Sequence, residues 1–355
     1  MTALDRAARG LTTALAGLVA LTGIATVTDH VAPVAAQSLP PAPGPLPSPS
    51  TAISPPQEGA LFLLLPTGAQ AVGLGRAMTA LPSQESAFWN PAGLAEVEGS
   101  RFVVSRGEHL AGEAVAFSLL LQRSNLGTFG LSYQLLDVGD QDRTDDQGNV
   151  IGQVSFRDHL ATVSFATQVI DRIAGGVNLK LVRRRIACRG ACLDDGVTAT
   201  TFAVDAGVQA QPVSAIPLRM GVMLAHAGPR LQVVNAEQAD PLPTRLRISW
   251  AYDVAGYFLS RPDLGLWITA EMEDRWKSPG SPSVYVGGEF TAGREDAFYA
   301  RAGYEAGETR QNQGAAMGVG FRYDGFDVSL AKSLSRSAIT GETQPIHVTL
   351  GIVFD

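Results

Sequence analysis

The feature that most constrains this chain is an alternation of apolar and polar residues with period two, repeated in segments of about ten residues. Near the C-terminus, in QPIHVTLGIVF (344–354), Ile346, Val348, Leu350, Ile352 and Phe354 fall on one face of an extended strand, and His347, Thr349 and Gly351 on the other. Three more segments read the same way. Phe298, Ala300, Ala302 and Tyr304 oppose Tyr299, Arg301, Gly303 and Glu305. Leu264, Leu266, Ile268, Ala270 and Met272 oppose Trp267, Thr269, Glu271 and Glu273. Leu246, Ile248, Trp250 and Tyr252 oppose Arg245, Arg247, Ser249 and Asp253. These charges do not fall on the 3.6-residue stripe of an amphipathic helix.

Further strands begin near Arg101, Glu113, Gly127, Phe156, Ile173, Thr200, Leu218, Ser283, Ala315 and Phe326. The total is about fourteen, an even number, as a closed antiparallel barrel with both ends on one side requires. The connections alternate in length. Short ones fall at 122–125, 170–172, 212–217, 293–296 and 323–325, and long ones at 137–153, 188–196, 228–241, 275–282, 307–313 and 335–343. Membrane barrels alternate short periplasmic turns with longer external loops in this way, and a soluble sandwich has no reason to. The one exception is 255–263, which is long where a short turn is due. The expected fold is therefore all-β: a transmembrane antiparallel β-barrel, with Tyr133, Trp250, Tyr252, Trp267, Tyr285, Tyr304 and Tyr323 as candidates for its interfacial aromatic girdles.

The N-terminus supports export. Arg6 and Arg9 precede an apolar stretch, Leu11 to Val27, and Val34 and Ala36 are the small residues of a cleavage site placed after Ala36. A membrane anchor is the competing reading, but the stretch is short and interrupted by four threonines. With no cysteine following it, a lipoprotein anchor is not expected. The Pro-rich run from Leu39 to Pro56 reads as an extended linker. The expected division is a signal peptide at 1–36, a linker at 37–60, an N-terminal segment at 61–100 and the barrel at 101–355. The formal charge of −7 and the lack of a basic stripe argue against nucleic acid as a partner. Charged residues are only 17 %, glycines number 38, and no apolar stretch after the signal is long enough for a spanning helix. A barrel accommodates such an apolar composition because alternation dilutes it.

Before the first strand lies FLLLPTGAQAVGLGRAMTALPSQESAFWNPAGLAEV (62–97), rich in small residues and not strand-like. Gly68, Gly73, Gly75 and Gly93 allow close backbone approach, Asn90-Pro91-Ala92-Gly93 is a turn, and a short helix-like stretch around Ala77 to Ala80 would pack tightly against something. A nucleotide-binding reading of the Gly-x-Gly is weak, because no strand precedes it and no βαβ unit follows. The segment resembles the start of the PorV/PorQ family, which belongs with the FadL-type fatty-acid transporters. The resemblance rests on Gly68, Ala69, Ala71, Gly73, Gly75, Ala77, Thr79, Ala80 and the run Trp89-Asn90-Pro91-Ala92-Gly93-Leu94. It covers about thirty residues. Two positions depart from the pattern: Ser83-Gln84-Glu85 replaces an acidic pair, and Arg76 stands where a small residue is usual. The resemblance implies a fourteen-stranded barrel in the bacterial outer membrane, with the N-terminal segment folded into the lumen as a plug. It implies either passage of hydrophobic small molecules or service to a protein secretion system, and leaves the choice open. A purely structural envelope role comes third and an enzyme last.

Candidate chemistry is sparse. Cys188 and Cys192, the only cysteines, are expected to form a local disulfide in an oxidising compartment. Zinc would want two more ligands, and the nearest acids are Asp194 and Asp195, with no histidine. Lumen-facing charges include Lys180, Arg184, Asp205, Arg219, Arg245, Arg247, Asp253, Glu271, Glu273, Glu289, Arg301, Glu305, Arg322 and Asp327. Read plainly, they form a salt-bridged interior that holds the plug. Read more sharply, Arg245, Arg247 or Arg301 receives a substrate carboxylate. The acidic stretch with Asp137, Asp140, Asp142, Asp145 and Asp146 loosely suggests calcium, but no glutamate stands at the twelfth loop position, so a solvated loop is expected. The histidines His30, His109, His159, His226 and His347 accompany no marked serine nucleophile. No cofactor and no metal are expected. Lipid of the outer membrane is the expected surrounding, with a hydrophobic small molecule or a secretion-system protein as partner.

Overall fold

The computed structural model describes residues 58–354 except 110–111, 193–195, 234, 236, 259–260, 262, 308–312 and 335–345. The signal and most of the Pro-rich linker lie outside the described residues, as do Asp194, Asp195, Asp355 and most of the connections at 307–313 and 335–343.

Among the described residues, fourteen strands follow one another in chain order: β1 (Ser100–His109), β2 (Gly112–Arg123), β3 (Gly127–Thr144), β4 (Val150–Ile170), β5 (Ile173–Gly190), β6 (Gly196–Ala210), β7 (Leu218–Ala227), β8 (Arg245–Asp253), β9 (Leu264–Arg275), β10 (Ser283–Gly293), β11 (Ala297–Ala306), β12 (Gln313–Tyr323), β13 (Phe326–Ser333) and β14 (Ile346–Phe354). Each pairs antiparallel with its neighbours, and β1 pairs with β14 from Ser100 opposite Phe354 to Gly107 opposite His347, which closes the ring. Closure leaves no unpaired strand edge, the condition for backbone to exist in hydrocarbon.

The alternation governs which side chains face outward. In β6, Ala199, Thr201, Ala203 and Asp205 are buried while Thr200, Phe202 and Val204 are exposed. Phe129, Leu131, Val163, Leu179, Phe202, Val319, Phe321, Leu350 and Ile352 all stand exposed on the outside. An apolar band of this extent has no place in water and fits a bilayer.

Four expectations are corrected. The connections expected at 137–153 and 188–196 are mostly strand: β3 runs to Thr144 and β4 begins at Val150 rather than Phe156, while β6 begins at Gly196 rather than Thr200. Polar residues on both faces hide a strand that has left the apolar band, because alternation is a signal only where one face meets lipid. The short helix expected around Ala77 to Ala80 is instead α1 (Ala69–Gly73), and 79–80 is a turn. Tyr285 and Trp267 do not belong to an outer girdle. Tyr285 is 2 % exposed beneath Arg76, and Trp267 packs inward beside Arg219. Finally, Glu58 to Ala60, assigned to the linker, pack with the folded chain, the Gly59 N–H donating to the Pro241 carbonyl. The long connection at 255–263 holds a short helix, α2 (Val254–Phe258).

Candidate functional site

The segment from Glu58 to Gly99 crosses the interior of the ring, and its small residues set how close it comes to the wall. A Cβ on Gly75 (φ +57°) would stand 2.6 Å from the Tyr304 nitrogen, and one on Gly303 of β11 would stand 2.2 Å from the Gly75 nitrogen. Backbone therefore lies on backbone, with no room for side chains between. Gly73 packs on Arg301 and Gly318, Gly68 against the Glu85 carboxylate, and Gly93 against Ser86.

Polar side chains from the wall then bind the segment's loose amides and carbonyls. The Glu271 carboxylate accepts from the Met78 N–H (3.0 Å), the Thr79 N–H (2.8 Å) and the Thr79 hydroxyl (2.9 Å). Gln209 donates to the Thr79 and Leu81 carbonyls, and Thr269 to that of Ala77. Asn90 is the hub of the Trp-Asn-Pro-Ala-Gly-Leu run. Its Nδ2 donates to the Thr79 carbonyl (2.8 Å) and its Oδ1 accepts from the Ala92 N–H, capping the 3-10 turn Pro91–Glu96. Trp89 donates from Nε1 to the Thr67 carbonyl, and the Arg247 guanidinium lies 5.0 Å over its ring. Glu85 turns to the amino end of α1, accepting from the Gln70 and Ala71 N–H groups and from the Thr349 hydroxyl of β14.

The lumenal charges are matched pairwise. Arg245 binds Glu58 through both guanidinium nitrogens at 2.8 and 2.6 Å, Arg247 binds Glu273 at 2.6 Å, and Arg301 binds Glu289 at 2.6 Å. Arg219 grips Glu96, Arg184 grips Asp158, Arg76 binds Glu305, and Arg322 lies 3.5 Å from Asp327. Asp253 accepts from the Gly256 and Leu266 N–H groups at the end of β8. Arg245, Arg247 and Arg301 would each have to leave a carboxylate to receive a substrate's. Lys180 is ion-paired with Asp205 and lies 3.2 Å from His226, all three buried. The Asp205 carboxylate accepts from the His226 N–H, where β7 takes a positive φ (+58°) and the β6–β7 register breaks between Val204 and Ala206. Outside the lumen, Cys188 and Cys192 are joined in a disulfide at the tip of the β5–β6 hairpin. Asp145 accepts from its own turn, from the Gln147 and Asn149 N–H groups and the Asn149 side-chain amide.

One part of the interior is different. Toward the end of the ring that carries the long hairpins, Ala114, Leu136, Leu160, Val182, Ala199 and Ala203 of β2 to β6 form an apolar wall. Phe62, Leu63, Leu231 and Leu242, from the segment and the β7–β8 connection, fill the space it encloses. Sequence reading missed Phe62, Leu231 and Leu242 as site residues, because apolar residues in irregular segments carry no periodicity. It also missed Glu58, Asp158 and Gln209. The one available signal was parity: Asp158 shares its face with Leu160, and Gln209 with Asp205.

A closed fourteen-stranded ring with an apolar exterior and an interior segment hydrogen-bonded to its wall defines the class as an antiparallel β-barrel of the membrane-protein type. Among solved structures, the chain is similar to the CymD monoaromatic hydrocarbon channel (12 % identity, TM-score 0.55, covering 81 % of this chain and 97 % of that one). It is similar also to the Ralstonia pickettii toluene transporter TbuX (11 %, TM-score 0.53, 81 % and 98 %) and to a Pseudomonas aeruginosa FadL homologue (13 %, TM-score 0.51, 82 % and 99 %). At these identities the likeness is one of fold. No family model and no curated protein matches the sequence.

Proposed function

We propose that this protein is a non-enzymatic barrel of the bacterial outer membrane that binds hydrophobic small molecules and passes them inward. The apolar chamber carries the reading. A water-filled pore has no use for Leu136, Leu160, Val182 and Leu231 packed together at one end of the lumen, where five adjacent strands, β2 to β6, turn apolar side chains inward. A hydrophobic solute does, since entry into such a chamber releases it from water. The chamber is occupied by the chain's own Phe62 and Leu63, so a ligand would enter by displacing them. The segment from Glu58 to Gly99 acts as the plug. A shift of its Gly73 to Ala80 stretch, held by Glu271 and Gln209, opens the route onward. The hydrocarbon and toluene channels of similar fold support this substrate class without specifying the molecule.

Uptake of a labelled long-chain fatty acid, and of toluene, by a deletion strain and its complemented parent tests the proposal. Equal uptake of both probes by the two strains would remove it. One observation favours a second reading, a secretion-system role. The β3–β4 hairpin extends past the apolar band, with strands of 18 and 21 residues, and offers a protein partner a polar surface. A pull-down from detergent extract that loses its partner on deletion of 139–152 would favour that role.

A further inference from the structure

The outer wall carries a constellation that the lumenal network does not use. The pleat of β5 splits the run Arg183-Arg184-Arg185: Arg184 faces inward and binds Asp158, while Arg183 and Arg185 are exposed on the outside. Strand register arranges their surroundings in rows. Tyr133, Ala161, Leu181 and Phe202 make one uncharged row across β3 to β6. Leu135, His159, Arg183 and Thr200 make the next toward the hairpin tips, and Asp137, Arg157, Arg185 and Thr198 the one after. The apolar band thus ends on a bank of arginines. Arg157 and Arg185 stand directly opposite each other, an arrangement of like charges that costs stability unless an anion lies between. Asp137 engages Arg157 at 2.8 Å, but among the described residues no carboxylate pairs with Arg183 or Arg185.

A second feature lies on the same wall. Small Thr167, Gly175 and Ala206 stand among Val177, Val208, Val222, Leu224 and Leu246 and leave an outward-facing apolar groove of about 560 Å³. Val177 to Arg183 is six residues of β5, about 20 Å of strand. At a tilt near 45° that is about 14 Å of depth, close to one leaflet of a hydrocarbon core roughly 30 Å thick. An anion site and an acyl-chain groove are therefore spaced as the two ends of one lipid.

We propose that this wall binds a phosphorylated acyl lipid of the leaflet on the hairpin side. Arg183 and Arg185 clamp the phosphate beside His159, and an acyl chain lies in the groove around Ala206. Guanidinium suits the task because its forked donors match phosphate oxygens and its charge is not lost at the interface.

The full chain in detergent, examined by native mass spectrometry, tests this with three probes: phosphatidic acid, diacylglycerol of the same chains, and inorganic phosphate. Phosphatidic acid should be retained and diacylglycerol not, with millimolar phosphate failing to displace the lipid. Each arginine near a membrane surface strengthens anionic-lipid binding about fivefold, so Arg183→Gln with Arg185→Gln should weaken retention about 25-fold. Lysine at both positions should recover part of it. Ala206→Phe, which fills the groove and leaves the charge intact, should also weaken retention, while Arg261→Gln, at the opposite end of the ring, should leave it unchanged. The heat-shifted gel mobility of each variant reports that the barrel is folded. Equal retention by wild type and the double glutamine variant overturns the proposal, as does equal binding of diacylglycerol. Complete displacement by inorganic phosphate overturns it in favour of a free-anion site.

Discussion

The interior is held by a few residues whose neighbours leave them no alternative. Glu271 is buried and accepts three hydrogen bonds from the turn at Met78 and Thr79. Removing the acceptor strands those donors, and a stranded buried donor costs about 1–3 kcal/mol. Glu271→Ala should therefore release the turn: faster amide exchange at Met78 and Thr79, and faster liposome swelling than wild type. Unchanged exchange at both amides would mean that Glu271 is not what fixes the turn. Steric contact gives a second, independent test. A methyl group at Gly303 meets the Gly75 nitrogen, whereas one at Gly288 has nothing nearer than the Trp267 oxygen at 3.7 Å. Gly303→Ala should lower the unfolding temperature by the equivalent of about 1–3 kcal/mol and Gly288→Ala should be near neutral, read from the heat-shifted band on a gel. Equal effects would mean that the segment does not lie against β11 as described.

At the level of elements, legibility followed the lipid. Strands β8, β9, β11 and β14 could be read residue by residue, because each alternates between hydrocarbon and a polar lumen along its length. The hairpins of β3–β4 and β5–β6 could not, since residues 139–144 of β3 and 196–198 of β6 are exposed on both faces and the period disappears there. The interior chamber was hidden for another reason: its strand-built wall is filled by Phe62, Leu63, Leu231 and Leu242 from irregular segments, where apolar residues carry no periodicity. What the sequence did expose was the close-packing capacity of Gly68 to Gly93, though not which wall each glycine would meet. The β3–β4 turn allows a pH test. Hydrogen bonds from the Asn149 side chain, then from its backbone N–H, hold the Asp145 carboxyl below its ordinary value of 3.8. A carboxyl depressed in the folded state stabilises that state above its unfolded pKa and loses the effect as pH falls through the folded value. Protection of the Gln147 and Asn149 amides, taken relative to the intrinsic exchange rate at each pH, should therefore be present at pH 6 and fall as pH drops below the ordinary value. Asp145→Asn should abolish most of that dependence, and a pH profile identical to wild type would exclude the carboxylate as its source.

For the molecule as a whole, the barrel reverses the usual arrangement of a folded protein. Its apolar surface faces outward, and its interior sets paired charges and small apolar clusters around an N-terminal segment. Within that interior, the apolar chamber stands out because five adjacent strands build its wall and residues that belong to no strand fill it. Truncating Phe62 and Leu63 to alanine removes side chains but no backbone hydrogen bond, so the ring and the Glu271 turn should persist. The space released should favour a hydrophobic occupant by the transfer free energy of the groups removed, about 25 cal/mol per Å² of apolar surface reburied. The double variant should therefore bind a fluorescent fatty-acid analogue in detergent at least tenfold more tightly than wild type, with its heat-shifted mobility intact. Leu160→Asp, which places a charge in the wall of the same chamber, should abolish the gain. If the truncated protein binds the analogue no better than wild type, Phe62 and Leu63 are structural filling, and the hydrophobic route must be sought elsewhere in the barrel.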